Sequence, residues 1–332
     1  MKSWTPTRIA VAAVAAFGLL YIAFGLNGWG TPAENEQPIG EISRWCERVH
    51  DGLLREPVNA LGNLGFVVAG LAMLRVLARD RTTGEPNAFI GHTPVALLYA
   101  SAAVFLGPGS AVMHGTHTFF GAWIDNLSMV AYILIPWLYN LGRLAGWSAR
   151  TFFTTYGALV AVYAAGYWFI APDLGINLEL FDISIALWLI SEVLYRFWSP
   201  AMRVASGFLG FVIAAVFGIM PAEMLDAPAE YWWVVFFWLP GLLATYPAPG
   251  RRRYSPWFWV GVGAFLTAYV IWLTGTNDHD WCRPDSFIQA HAVWHLLSAV
   301  ATWGFFKFLR TEVPIGSEGH DPGVRRQTVG GR

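Results

Sequence analysis

Ten apolar runs divide this chain, at roughly 9–28, 57–78, 89–113, 119–141, 151–171, 178–198, 203–222, 231–247, 255–275 and 288–310. A helix needs about 20 apolar residues to cross a bilayer, and in lipid each backbone polar group must be satisfied within the protein. The pattern therefore predicts an all-α, polytopic helical membrane protein with about ten transmembrane helices. Composition agrees: 55% of residues are hydrophobic and 13% charged, where a soluble domain carries about 25% charge. The 18 Trp suit many membrane interfaces. A net charge of -1 with no basic stripe argues against a nucleic-acid partner. The weakest runs are the one holding Glu179, Asp182 and Glu192 and the short one interrupted by Pro240.

Lys and Arg in the short loops set the orientation. Alternate connections hold Lys2 and Arg8; Arg75, Arg79 and Arg81; Arg143 and Arg150; Arg196 and Arg203; Arg251–Arg253; and Lys307, Arg310, Arg325 and Arg326. The intervening loops are acidic or neutral. Both termini are then expected in the cytoplasm; in a bacterial cell the membrane is the inner one. The first run, within residues 1–30, is read as an extra uncleaved helix rather than a signal peptide, because the small-residue cleavage pattern near Leu26–Thr31 is poor. Residues 1–310 form a single transmembrane domain, and 311–332 read as a disordered cytoplasmic tail. Cys46 and Cys282 both fall in outward loops, which favours a disulfide over two free thiols.

Against this apolar background a few side chains are out of place. Ser110 and His114 are four apart in GPGSAVMHGTH, Asp125 lies eleven beyond His114, and His291 and His295 are four apart in QAHAVWHLLSAV. Ionisable groups at membrane depth are functional candidates by default. On a helix, an i, i+4 pair shares one face, so His291 and His295 can reach one metal, with His114 as a third nitrogen. The topology puts all three, and Asp125, at similar depth near the outer (periplasmic) face. Three imidazoles on zinc (Zn2+) leave a position for water, whose pKa falls to about 7. Asp125 is the candidate general base, and Ser110 a donor to an oxyanion or a group that orients a ligand. The sequence Gly107-Pro108-Gly109 suggests that the backbone bends or breaks beside this cluster.

These segments resemble the alkaline ceramidase family, within the wider CREST superfamily of integral-membrane hydrolases. The resemblance rests on SAVMH (Ser110, His114), WIDNLSM (Asp125) and HAVWH (His291, His295), together with WCERVHDGLLREPVNALGNLGF, where Trp45, Cys46, Glu47, Glu56, Asn59 and Asn63 fall. It covers about 45–78, 105–140 and 280–310; the middle, about 145–275, is not aligned. It implies a ceramidase-like region over 45–310 with a seven-helix core, zinc held by His114, His291 and His295, Ser110 and Asp125 beside the metal, a Cys46–Cys282 bridge, and hydrolysis of a ceramide-like lipid amide. It also implies a calcium (Ca2+) ion near Glu47 and Glu56. Here the chain departs from the family: Arg44 stands where an acid is expected, Arg48–Val49 replace a short polar ligand, and the step from Glu47 to Glu56 is shortened. Two carboxylates without other oxygens make at most a weak calcium site.

Two other classes fit parts of this pattern. A receptor or sensor would keep zinc without turnover. A proton-coupled transporter would use Asp182, Glu192 and the histidines as a relay. His117, three residues after His114, reads as an interfacial or supporting residue more readily than as a ligand.

Overall fold

A computed structural model of the protein describes residues 4–80 and 87–315. Among these the regular structure is helical apart from one short ladder and an isolated bridge between Ile42 and Arg48. The helices are α1 (Thr5–Gly25), α2 (Pro57–Gly62), α3 (Leu64–Arg79), α4 (Pro94–Thr116), α5 (Phe119–Leu144), α6 (Ala149–Phe169), α7 (Leu180–Phe197), α8 (Pro200–Ala205), α9 (Leu209–Val216), α10 (Pro221–Asp226), α11 (Leu239–Leu243), α12 (Trp257–Leu273) and α13 (Ala290–Leu309). The ladder is antiparallel, pairing β1 (Gly250–Arg251) with β2 (Val313–Pro314).

Length and composition qualify five segments to cross a membrane: α1, α2–α3 (Pro57–Arg79), α4, α5 and α13. The other expected spans are also helical, but shorter or less apolar. They correspond to α6, to α7 with its Asp182, Glu192 and Arg196, to α8–α9, to the Trp232–Trp238 turn with α11, and to α12. The protein is an all-α polytopic membrane protein. In α1 the most apolar stretch is 6% buried, against 61% in α4 and in α13. With Leu19, Leu20 and Phe24 exposed, α1 faces lipid, whereas the helices that carry the out-of-place histidines are the most enclosed.

Local signals explain how α4 and α5 meet. Thr93 caps α4 by accepting from Ala96 N, and Thr118 caps α5 by accepting from Gly121 N, satisfying backbone donors that a helix start leaves free. Between the two helices only His117, in the left-handed region at φ 54°, and Thr118 intervene. So short a link makes the helices antiparallel neighbours and sets His114 near Asp125. The break expected at Gly107–Gly109 does not occur: α4 continues through Pro108 to Thr116. The small residues serve close packing instead. A Cβ on Gly109 would stand 2.5 Å from Ser128 Oγ of α5.

Gly62 plays the same part between α2 and α13, where a Cβ would stand 2.9 Å from Ala292 Cα. Because the contact is backbone rather than a flexible side-chain end, Gly62→Ala must push α13, and His291 with it, outward. Overpacking of this kind costs about 1–3 kcal/mol. The variant is expected to have a lower thermal midpoint in detergent and weaker metal retention than the parent, both read on purified protein.

At the far end of α13 the chain is clasped. Arg252 donates to Glu312 (2.8 and 2.9 Å), Glu192 (2.6 Å) and Asn140 (2.8 Å), Tyr254 donates to Glu192 (2.6 Å), and Tyr139 donates to Glu312 (3.2 Å). Residues 311–315, assigned from sequence to a disordered tail, are therefore folded: Glu312 is buried and β2 pairs with β1. The rest of that tail, 316–332, lies outside the described residues. Glu192, considered above for a proton relay, is instead held as the partner of a buried guanidinium.

Candidate metal centre

The helical pair His291 and His295 on α13 meets His114, from the last turn of α4, inside the protein. All three are at most 5% exposed, low enough to keep bulk water from competing for their nitrogens. His114 Nε2 stands 3.1 Å from His291 Nε2 and 3.2 Å from His295 Nε2. Tetrahedral zinc with nitrogens at about 2.0–2.1 Å separates its ligand atoms by roughly 3.3 Å, so the three imidazoles fit such an ion. Among the described residues they form the one group of three or more His, Cys, Asp or Glu able to share a metal.

The surroundings fix how the rings present themselves. Glu56 Oε2 accepts from His114 Nδ1 at 2.8 Å, which leaves the Nε2 lone pair of His114 directed at the other two rings. A carboxylate behind a histidine in this way sets its tautomer and raises its basicity as a ligand. Glu56 Oε1 accepts from His117 Nε2 at 2.6 Å, and His117 Nδ1 is 3.7 Å from Glu36 Oε2. Burial pushes the Glu56 carboxyl up, but the two imidazoles beside it hold it well below the usual range. On the other side Trp45 stacks on His291, with ring centroids 4.3 Å apart. A disulfide joins its neighbour Cys46 to Cys282 in the loop leading to α13, as the shared outward placement of the two cysteines suggests.

Ser110 is buried one turn before His114 on α4. Its hydroxyl lies beside the Asp125 carboxylate, which is within electrostatic reach of His114. Asp125 Oδ1 is buried without a hydrogen-bond partner among the described residues. An acceptor left free in an enclosed site is unusual and suits a group that must take up a proton. The structure thus brings together the five residues that stand out in the sequence.

The two carboxylates of the weak calcium expectation are both engaged within the protein. Both oxygens of Glu47 are occupied, accepting from Val58 N at 2.7 Å and Asn59 N at 2.8 Å, and burial raises its carboxyl to about 7. Those of Glu56 are taken by His114, His117 and Asn59 Nδ2. Glu47 caps the start of α2 and Glu56 steadies the histidines; calcium takes about six to eight oxygens, of which these two carboxylates offer four at most. Glu36 is the contact sequence reading missed: a polar-loop glutamate carries no local signal of its role.

If Glu56 holds the His114 ring, Glu56→Gln weakens that hold while preserving shape. Loss of such a partner typically lowers metal affinity about 10–100-fold. Competition with a chelator of known affinity should read a drop in that range for zinc; an unchanged affinity would contradict the assigned role.

The fold and this centre define an integral-membrane helical protein with a buried three-histidine group facing a carboxylate. Comparison with family sequence models gives its affiliation: the Ceramidase family model matches residues 41–313, and the chain belongs to that family. The match spans the middle region that inspection did not align. Membership implies an amidohydrolase acting on ceramide. No curated protein matches the chain.

Proposed function

We propose that the protein is a membrane-embedded, zinc-dependent hydrolase that cleaves the amide bond of a ceramide-like lipid. The observation that carries this reading is the convergence of three buried Nε2 atoms beside a carboxylate oxygen with no partner. His114, His291 and His295 would hold the ion. When bound, zinc supplies a Lewis acid that polarises a carbonyl and lowers the pKa of water to about 7. Asp125 Oδ1 accepts the proton of the attacking water and returns it to the leaving amine, so that water and amide yield a fatty acid and an amine. Ser110 orients Asp125 and is placed to donate to the oxyanion. Glu56 keeps the His114 ring in place. The active centre opens toward the outer face of a bacterial inner membrane, with both termini cytoplasmic.

The test is fatty-acid release from N-acyl sphingoid lipids by purified protein, followed by mass spectrometry. Asp125→Asn should retain its metal yet lose about 10²–10⁴-fold in kcat, the usual contribution of a placed proton-transfer group. Full turnover in that variant would remove Asp125 from the mechanism. One metal per chain with no turnover on any amide or ester would select a sensor over an enzyme.

A further inference from the structure

At the opposite end of the bundle from the histidines, a cavity of ≈ 270 Å³ is lined by Tyr195, Arg196, Phe197, Arg251, Arg252 and Tyr254. Arg196, Arg251 and Arg252 line it, and Arg143 joins them through Glu312. The carboxylates there are Glu192 and Glu312, which pair with Arg252 and Arg143. Four positive and two negative charges leave a net of +2. Arg196, Arg251 and Arg253 make no ion pair among the described residues.

The guanidinium of Arg196 lies over the Tyr254 ring at 4.5 Å. Stacking engages the face of the guanidinium and leaves its N–H edge free to donate. Arg251 is exposed on β1, and Arg252 behind them is locked by its two carboxylates, so the wall is rigid. Beside the cavity Phe197 is 55% exposed, an apolar surface next to a basic one. Forked N–H donors match phosphate oxygens in geometry and charge, and basic pockets between membrane helices take up phosphate-bearing headgroups.

We propose that this cavity binds a phosphate group, carried by the headgroup of an anionic phospholipid whose acyl chain lies along Phe197. Arg196 and Arg251 grip the phosphate, and Arg252 supplies the fixed positive wall. Occupation would tie the β1–β2 clasp and the end of α7 to the lipid surface. The site is remote from the metal centre and independent of the reaction catalysed there.

Native mass spectrometry of the full chain in detergent tests this, with phosphatidylglycerol, phosphatidylcholine and inorganic phosphate as probes. The wild type should retain one phosphatidylglycerol per chain at least tenfold more tightly than phosphatidylcholine. The double variant Arg196→Gln/Arg251→Gln should lose that preference, whereas Arg150→Gln, an exposed arginine lost elsewhere, should keep it. Arg251→Gln alone removes an exposed side chain without touching the stacked pair, and should weaken retention in a folded protein. Displacement of the lipid by millimolar inorganic phosphate would support the phosphate site and make the free ion a second source of ligand. Equal retention of the two lipids by the wild type, or an undiminished preference in the double variant, would overturn the proposal.

Discussion

His291→Ala is expected to lower lipid-amide hydrolysis at least ~10³-fold and to leave the purified protein with little bound metal. The ring is one of three nitrogens, and with two the site no longer encloses an ion tightly. The activation of water is then lost: an ion can lower its pKa to about 7, a far larger effect than any single hydrogen bond in the site supplies. The same variant also removes the stack on Trp45, so a structural control is needed. His291→Cys restores a ligand atom of a kind zinc accepts, and should recover part of the metal content. Activity close to that of the parent in His291→Ala would contradict the proposed chemistry.

Arg252→Ala is expected to be the most damaging substitution away from the metal centre. It leaves Glu192 and Glu312 buried together without their common cation, each less than 5% exposed. Removing one partner from a buried ion pair costs about 3–5 kcal/mol, because the other charge stays in a medium of low polarity. The cation–π contact with Tyr195, at 3.7 Å, goes as well. A fall in the thermal midpoint in detergent, with cleavage by protease near β2, is the expected result. Replacing the carboxylates too, as Glu192→Gln/Glu312→Gln on top of Arg252→Ala, should recover part of the loss, because the buried negative charge that Arg252 neutralised is then removed. A midpoint unchanged by Arg252→Ala would show that the clasp does not hold this end of the bundle.

Much of the site was legible because hydrocarbon makes polar residues conspicuous. Ser110, His114, Asp125, His291 and His295 stand out for chemistry at the wrong depth, and helical spacing pairs Ser110 with His114 and His291 with His295. Alternation of arginine-rich and acidic loops brings the two halves to one face. The meeting of His114 with His291, 177 positions apart, agrees with that reading. What stayed hidden depends on partners that sequence does not name. Glu312 looks like part of a polar tail, since the guanidinium that buries it lies 60 residues earlier. Glu56 looks like a cation ligand until His114 and His117 are seen to take its oxygens. The Gly107–Gly109 segment suggests a break, because glycine provides both flexibility and smallness. Only the neighbour at Ser128 shows that smallness is what α4 uses.

The central claim, that three buried imidazoles grip one metal ion, is tested most directly by X-ray absorption at the zinc edge on purified protein, with metal content measured on the same sample. The expected spectrum is one zinc per chain with three imidazole nitrogens at about 2.0–2.1 Å and one oxygen. A protein without a stoichiometric transition metal after zinc loading, or with zinc held mainly by carboxylate oxygens, would contradict it.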